Sequence, residues 1–494
     1  MTIVAQSFLI IYLPIFVLIG LALRSLGLTR ATVPALLVMS AVFYLHQGAI
    51  SSAALFGSIL VTWVMVELME LVAPVQEKER ANLKRRLFAF LGVAVNLGLL
   101  LAFKYLGFFE QIFGTSADLA FLGVSSLIVP LGLSFFTIQQ IGYVLDVYSQ
   151  RAPRMGLIHY STFIAFFPQL MAGPIVSAKQ MARQFKRLEA PKIDDEYLFG
   201  FAKGMTLIAF GAFKVTIVSH EIFEFITPYI LAAQNGQTSP LASLMVGLSG
   251  LTALYFDFSG YCDVAMGIGL LFGVVLPINF NAPFRNPSGR QFFANWHITF
   301  HNFLRDHVYK NIAGDRSSKL VIMFAIWATF QISALWHMPS VNMLVFANVL
   351  IVALGIIQFA KRTGSRVLSL AGSMLANLLA AISLIFFLSP DPQTALTLAV
   401  GLVTWPSDMV PLMGQASQSI ASLSILIAAE VYKYIEIPSH ALLSERVVHR
   451  DRYFLKWQLP PWCPSLPWAV FTIALLYAAI VRSGSRISIY YTQF

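Results

Sequence analysis

Apolar stretches long enough to cross a bilayer recur along almost the whole chain, and they leave few folds open. A transmembrane helix needs about 20 residues. Candidate spans fall at residues 7–24, 33–46, 50–73, 87–108, 122–148, 205–232, 240–257, 320–338, 341–360, 367–388, 417–433 and 467–481. Backbone amides find no water inside a membrane, so only helices or closed barrels can span it. These runs lack the strict apolar–polar alternation of barrel strands. An all-α polytopic membrane protein of roughly ten to twelve transmembrane helices is therefore predicted, with the count softened by Pro and Gly interruptions. Composition agrees: 57% of the 494 residues are hydrophobic and 11% charged, against about 25% charged in soluble proteins.

The formal net charge is +10. In a membrane protein this reflects Lys and Arg retained in cytoplasmic loops rather than a nucleic-acid partner. Basic clusters at Lys78–Arg86, Lys179–Arg187, Lys361–Arg366 and Arg446–Lys456 are read as cytoplasmic, where they meet anionic lipid. Cys262 and Cys463 form neither a disulfide pattern nor zinc spacing. No basic residue precedes the first apolar run, so that run reads as a membrane anchor with Arg24 inside, not as a secretory signal.

One membrane domain, residues 1–494, is expected, with its chemistry concentrated at about 130–360. Within 174–203 the run VSAKQMARQFKRL can place apolar and basic residues on opposite sides of an interfacial helix. The region 279–319 holds six basic and two acidic residues among many aromatics. A helix over 291–311 is predicted after the Pro287-Ser288 start signal. It would put His297, His301 and Arg305 in one row and lie at the interface or re-enter the membrane.

Two Trp-His pairs stand out. Trp296-His297 lies in this polar region and Trp336-His337 in an apolar run, LVIMFAIWATFQISALWHMPS. An ionisable side chain in a membrane segment is costly and needs a reason. From the residue alone, His337 is either a general base facing a cavity or a core histidine bonded to backbone, Gln331 or Ser333. Met338-Pro339 should break the helix beside it. His297 is a second site member or an interfacial histidine. A metal at the His297/His301 pair would lack a nearby carboxylate or thiol, so none is expected. Asp257, Ser259, Tyr261 and Asp263 line a cavity, or else Ser259 and Asp263 cap helices, with Gly260, Gly267 and Gly269 permitting close packing. Gln139, Gln140, Tyr143 and Asp146 are polar within a span, and FFPQLMAGPI reads as a re-entrant turn or helix end. No phosphate loop, nucleophile elbow or dinucleotide fingerprint is present.

Taken in order, SFLIIYLPIFVLIG, PLGLSFFTIQQIGYVLDVY, FFPQLMAGPI, FSGYCDVAMGIGLLFGVVLPINFNAPF, WHITFHNFLRDHVY and SALWH, with the closing YYTQF, resemble the membrane-bound O-acyltransferase (MBOAT) family. The branch containing the membrane subunit of alginate O-acetylation matches better than that of teichoic-acid D-alanylation. The resemblance implies a helical bundle with re-entrant or interfacial helices and a central tunnel. It implies His337 as general base and His297 as its helper, a position usually His or Asn in the family. With them go Trp296, Trp336, Asp257, Tyr261, Asp263, Asn281 and Arg305 as candidate substrate-binding residues. It implies acetyl-CoA or an acyl-carrier thioester as donor substrate, with no bound cofactor. Location in a bacterial inner membrane follows, with a periplasmic SGNH-type acetyltransferase or a polysaccharide synthesis complex as partner. A transporter using Asp146, Asp257 and His337, or a non-catalytic scaffold, are the rival readings. The chain departs from the family at Met338-Pro339, where a glycine and a small residue are usual. It also departs at Ala294-Asn295, at Asn311–Gly314 and at Phe386-Phe387-Leu388-Ser389, where an arginine is expected.

Overall fold

A computed structural model describes residues 2–72, 80–113, 129–189, 193–285, 289–314, 318–362, 365–404, 416–435 and 462–483. The basic cluster Arg446–Lys456, the closing YYTQF and the Pro287-Ser288 signal lie outside these. The described residues form helices and no strand. Among the described residues, eight helical stretches are long and apolar enough to cross a membrane, and two shorter apolar helices, Thr29–Leu45 and Met374–Leu388, accompany them. The chain is a multi-pass, all-α membrane protein. Two predicted spans lengthen. The run at 205–232 is part of one 40-residue helical stretch, Asp195–Gln234, with a π-helical turn at Lys214–Ser219, and the run at 240–257 continues to Leu271.

The helices sort into two compact units. One comprises Met1–Phe213, Gly260–Asn279 and Pro438–Ser488; the other comprises Lys214–Ser259, Phe280–Ile437 and Ile489–Phe494.

In the first unit, small residues set how closely helices approach. A Cβ on Gly211 would lie 2.4 Å from the carbonyl oxygen of Gly260, and one on Gly267 would lie 2.6 Å from that of Gly204. Without a hydrophobic driving force between helices in lipid, such backbone contact is the means of association. The polar residues of the 130–148 run find partners on neighbouring segments. Gln140 donates to Ser58 Oγ and accepts from Tyr160 (3.0 Å each), and the Tyr143 hydroxyl accepts from the Met155 amide at 2.9 Å. They are structural. FFPQLMAGPI forms a short buried helix, Phe167–Leu170, and a turn. The predicted interfacial helix is Ala178–Leu188: Met181, Gln184, Phe185 and Leu188 are buried, and Lys179, Arg183, Lys186 and Arg187 are exposed.

In the second unit, the helices Lys319–His337, Val341–Arg362 and Arg366–Leu388 pack in succession. Arg305 through Tyr309 form a π-helical turn between Ile298–Leu304 and Lys310–Ala313. The residues Tyr255, Phe258, Phe280, Phe284 and Phe292 interlock edge to face around Trp296 and His297.

Candidate active site

His337 is the last residue of the helix Lys319–His337. The helix stops there because the residue before a proline is driven to extended backbone, and Met338 adopts φ −149° and ψ 125° ahead of Pro339. The break predicted at Met338-Pro339 is present. It leaves the imidazole at an open helix end rather than midway along a packed stripe.

His297 is placed differently from its prediction. The expected helix over 291–311 is split into Gly289–Asn295 and Ile298–Leu304, because His297 sits in the left-handed region at φ 45°, ψ 49°. That conformation is uncommon outside glycine, with Asn, Asp and His enriched among the exceptions. The turn sends adjacent side chains to separate surroundings. Trp296 stacks on Phe292 at 5.3 Å and meets Phe280 at 5.2 Å. His297, 2% exposed, lies 4.7 Å from Phe258 and 4.9 Å from Phe300 between ring centres.

The turn also brings the two imidazoles close together within the second unit. Their centres are 6.3 Å apart and their planes cross at 54°. Ring nitrogens then stay at least about 4 Å apart, beyond a direct hydrogen bond. Phe300, stacked on Trp336 at 4.2 Å, and Phe387 wall the gap, 5.7 Å and 5.9 Å from His337. Burial first, and the His337 imidazole second, hold His297 well below the ordinary imidazole range; burial takes His301 down to about 4. Both are therefore neutral near pH 7, each with one donor and one acceptor nitrogen. Gln331 does not pair with His337, since both its amide atoms are buried without a hydrogen-bond partner among the described residues.

The remaining candidates divide. Trp336 is buried between Phe300 and His337, and Asp257 is buried next to Phe258 in the same unit. Tyr261 and Asp263 are buried but belong to the other unit. Asn281 is exposed, and its backbone N–H donates to the Asn295 carbonyl (3.0 Å), fixing the turn. Arg305 is exposed and held by both oxygens of Asp306 at 3.0 and 2.9 Å, and Asp306 also receives Lys310. That ion pair holds Arg305 at the surface, at the start of the π-helical turn that follows Leu304. Among the described residues no group of three or more His, Cys, Asp and Glu is placed to hold a metal. Sequence reasoning passed over Phe258, Phe300 and Phe387, which read as ordinary apolar positions; only the departure noted at Phe386–Ser389 hinted at the last.

The left-handed turn makes a testable demand. His297→Asn should accumulate and melt close to the parent protein. His297→Val, β-branched at positive φ, should lose about 1–3 kcal/mol. Melting curves of the two variants in one detergent check this; a valine variant as stable as the asparagine one would show that the turn is not required.

Sequence comparisons can be set beside this geometry. The family model for MBOAT, the membrane-bound O-acyltransferase family, matches residues 143–367, which include both histidines. A Helicobacter pylori protein named peptidoglycan O-acetyltransferase is 33% identical over 329 residues, 61% of this chain and 60% of its own length. A Pseudomonas aeruginosa protein named "Probable alginate O-acetylase AlgI" is 31% identical over 339 residues, 67% of this chain and 61% of its own. A Lacticaseibacillus rhamnosus protein named teichoic acid D-alanyltransferase is 22% identical over 297 residues, 57% of this chain and 69% of its own. The chain spans about three fifths of the length of the first two relatives.

Proposed function

Residues 143–367 carry a membrane-bound O-acyltransferase family domain, and on that premise we propose that the chain is an O-acyltransferase of a bacterial inner membrane. It takes an acyl group, acetyl in the first instance, from a cytoplasmic thioester such as acetyl-CoA. It delivers that group to a cell-envelope polysaccharide or to a periplasmic SGNH-type partner transferase. The relatives' names support the choice of group, since two of the three name O-acetyl transfer or acetylation and one D-alanyl transfer.

The observation that carries the reading is the approach of His297 to His337, their ring centres 6.3 Å apart. An acceptor hydroxyl in that gap gives its proton to His337 as its oxygen attacks the thioester carbonyl. The C–S bond then breaks, and the thiolate leaves with the proton returned by His337. Base assistance of this kind contributes about 10²–10⁴-fold. A neutral His297 offers an N–H toward the developing oxyanion or toward the hydroxyl itself. The aromatic walls keep the dielectric low, which strengthens such a hydrogen bond. The transport reading finds less support: Asp146 pairs with Arg151 at 3.2 Å.

Membrane vesicles containing the protein, supplied with acetyl-CoA labelled in its acetyl group, are expected to pass label into base-labile esters of an envelope polymer. Label that never leaves CoA in vesicles carrying folded protein would sink this reading.

A further inference from the structure

One polar side chain beside the histidine pair has no part in the chemistry above. Asn342 lies in the first turn of the helix Val341–Arg362 and is 1% exposed. Its Nδ2 donates to the Ser389 carbonyl oxygen at 3.1 Å. Its Oδ1 is buried and has no hydrogen-bond partner among the described residues. The Ser389 bond fixes the amide's orientation, because the flipped amide would set two acceptor oxygens against each other.

Two ring contacts and the short chain between the helices link this group to His337. Ser389 is two residues beyond Phe387, whose ring lies 5.9 Å from His337. The same ring lies 5.2 Å from Phe346, and Phe346 is one helical turn after Asn342 on the same face. Only Met338–Val341, the break between the two helices, separates Asn342 from His337 in sequence.

A buried acceptor left unmade bears its full desolvation cost, so an ordered water or a bound group is expected to meet it. The sign of the missing bond limits what that is. Oδ1 only accepts, so the incoming group must present O–H or N–H. A thioester carbonyl and the phosphates of CoA only accept. A polyol acceptor carries further hydroxyls beside the one that reacts.

We propose that Asn342 is a positioning residue that accepts a hydrogen bond from a second hydroxyl of the acceptor, and so holds the neighbouring hydroxyl against His337. The proposal rests on the acyl-transfer reading and adds to it that the acceptor is a polyhydroxylated glycan. It separates acceptor recognition from donor recognition.

The test uses membranes containing the full chain, labelled acetyl-CoA as donor and the envelope polysaccharide as acceptor, at matched amounts of folded protein. Asn342→Leu, close in volume but without the oxygen, should transfer about tenfold more slowly or worse. The KM for acetyl-CoA should stay within about twofold, since an unpaired protein group discriminates only against the substrate that pairs with it. Asn342→Asp, which keeps an accepting oxygen but loses the donor to Ser389, should transfer faster than Asn342→Leu. A purely structural role predicts the reverse order.

Unchanged transfer by Asn342→Leu would overturn the proposal. So would a matching rise in the acetyl-CoA KM, which would assign the amide to an N–H of the donor. Failure of both variants to accumulate would assign Asn342 to folding and overturn it as well. His337→Ala is run alongside. Normal transfer there sinks the acyl-transfer reading itself, whereas loss there with a normal Asn342→Leu sinks only the present proposal.

Discussion

His337→Ala should lose acyl transfer by about 10²–10⁴-fold while reaching the membrane in normal amount. The chemical part of this expectation follows from position. His337 ends its helix at an extended break and faces His297 across 6.3 Å. An alanine there leaves His297, buried and held well below the ordinary imidazole range, as the one imidazole described at that gap, and Arg305 is bound up with Asp306 on the surface. The structural part follows from burial. His337 is only half-buried, and removing a ring from a helix end empties less packed volume than removing Trp336 would. The affinity for acetyl-CoA should change little, since the base acts on the acceptor's proton in the transition state. His297→Asn, which keeps the turn and an N–H donor, should lose less than His337→Ala. Rates measured in vesicles at matched protein check both. Near-normal transfer by His337→Ala would remove it from catalysis, and an equal loss in both variants would mean that His297 does more than assist.

Much of this site is legible in the order of residues. An apolar run ending in Trp-His-Met-Pro announces both a membrane helix and its break, because proline acts locally on the residue before it. Small residues at 260 and 267 announce close helix packing, because a missing Cβ is a property of the residue. The interfacial helix at 178–188 follows from its alternation of faces. What the order of residues hides is the turn at His297. A 3.6-residue period runs through 291–311 without interruption, and nothing local forbids a helix there. Tertiary packing of Trp296 into one aromatic cluster and His297 against Phe258 and Phe300 overrides it. The clue was chemical rather than periodic. The family resemblance gives His or Asn at this position, and these are residues that tolerate left-handed backbone. Asn342 and Phe387 were hidden for a different reason. Phe387 reaches His337, and Asn342 reaches Ser389, only once two later helices fold back, and neither residue type is unusual where it stands.

The second large effect lies beneath the aromatic cluster, at a lysine that the apolar run 417–433 conceals. Lys433, 4% exposed, forms an ion pair with Glu430, donates to Thr252 Oγ1 at 2.8 Å and lies 4.9 Å over the ring of Phe284. Thr252 in turn donates to Glu430. This triangle ties the helix Ala416–Ile435 to the helix Pro240–Leu271, which carries Tyr255 and Phe258. The two charges are not equally exposed, because the Glu430 side chain keeps 32% of its surface accessible against 5% for Lys433. Removing the carboxylate should therefore hurt more than removing the amine. Glu430→Leu strands a buried ammonium and is expected to cost about 3–5 kcal/mol, less any part recovered if the lysine chain bends toward water. Lys433→Met leaves a carboxylate that water already reaches, so its cost should be smaller. The double variant Glu430→Leu/Lys433→Met should recover most of the loss of the first, because an apolar pair of similar volume often matches a buried ion pair. Melting temperatures of the parent and three variants in one detergent give the order. A double variant as unstable as Glu430→Leu alone would mean that the cost lies in packing against Phe284 rather than in a stranded charge.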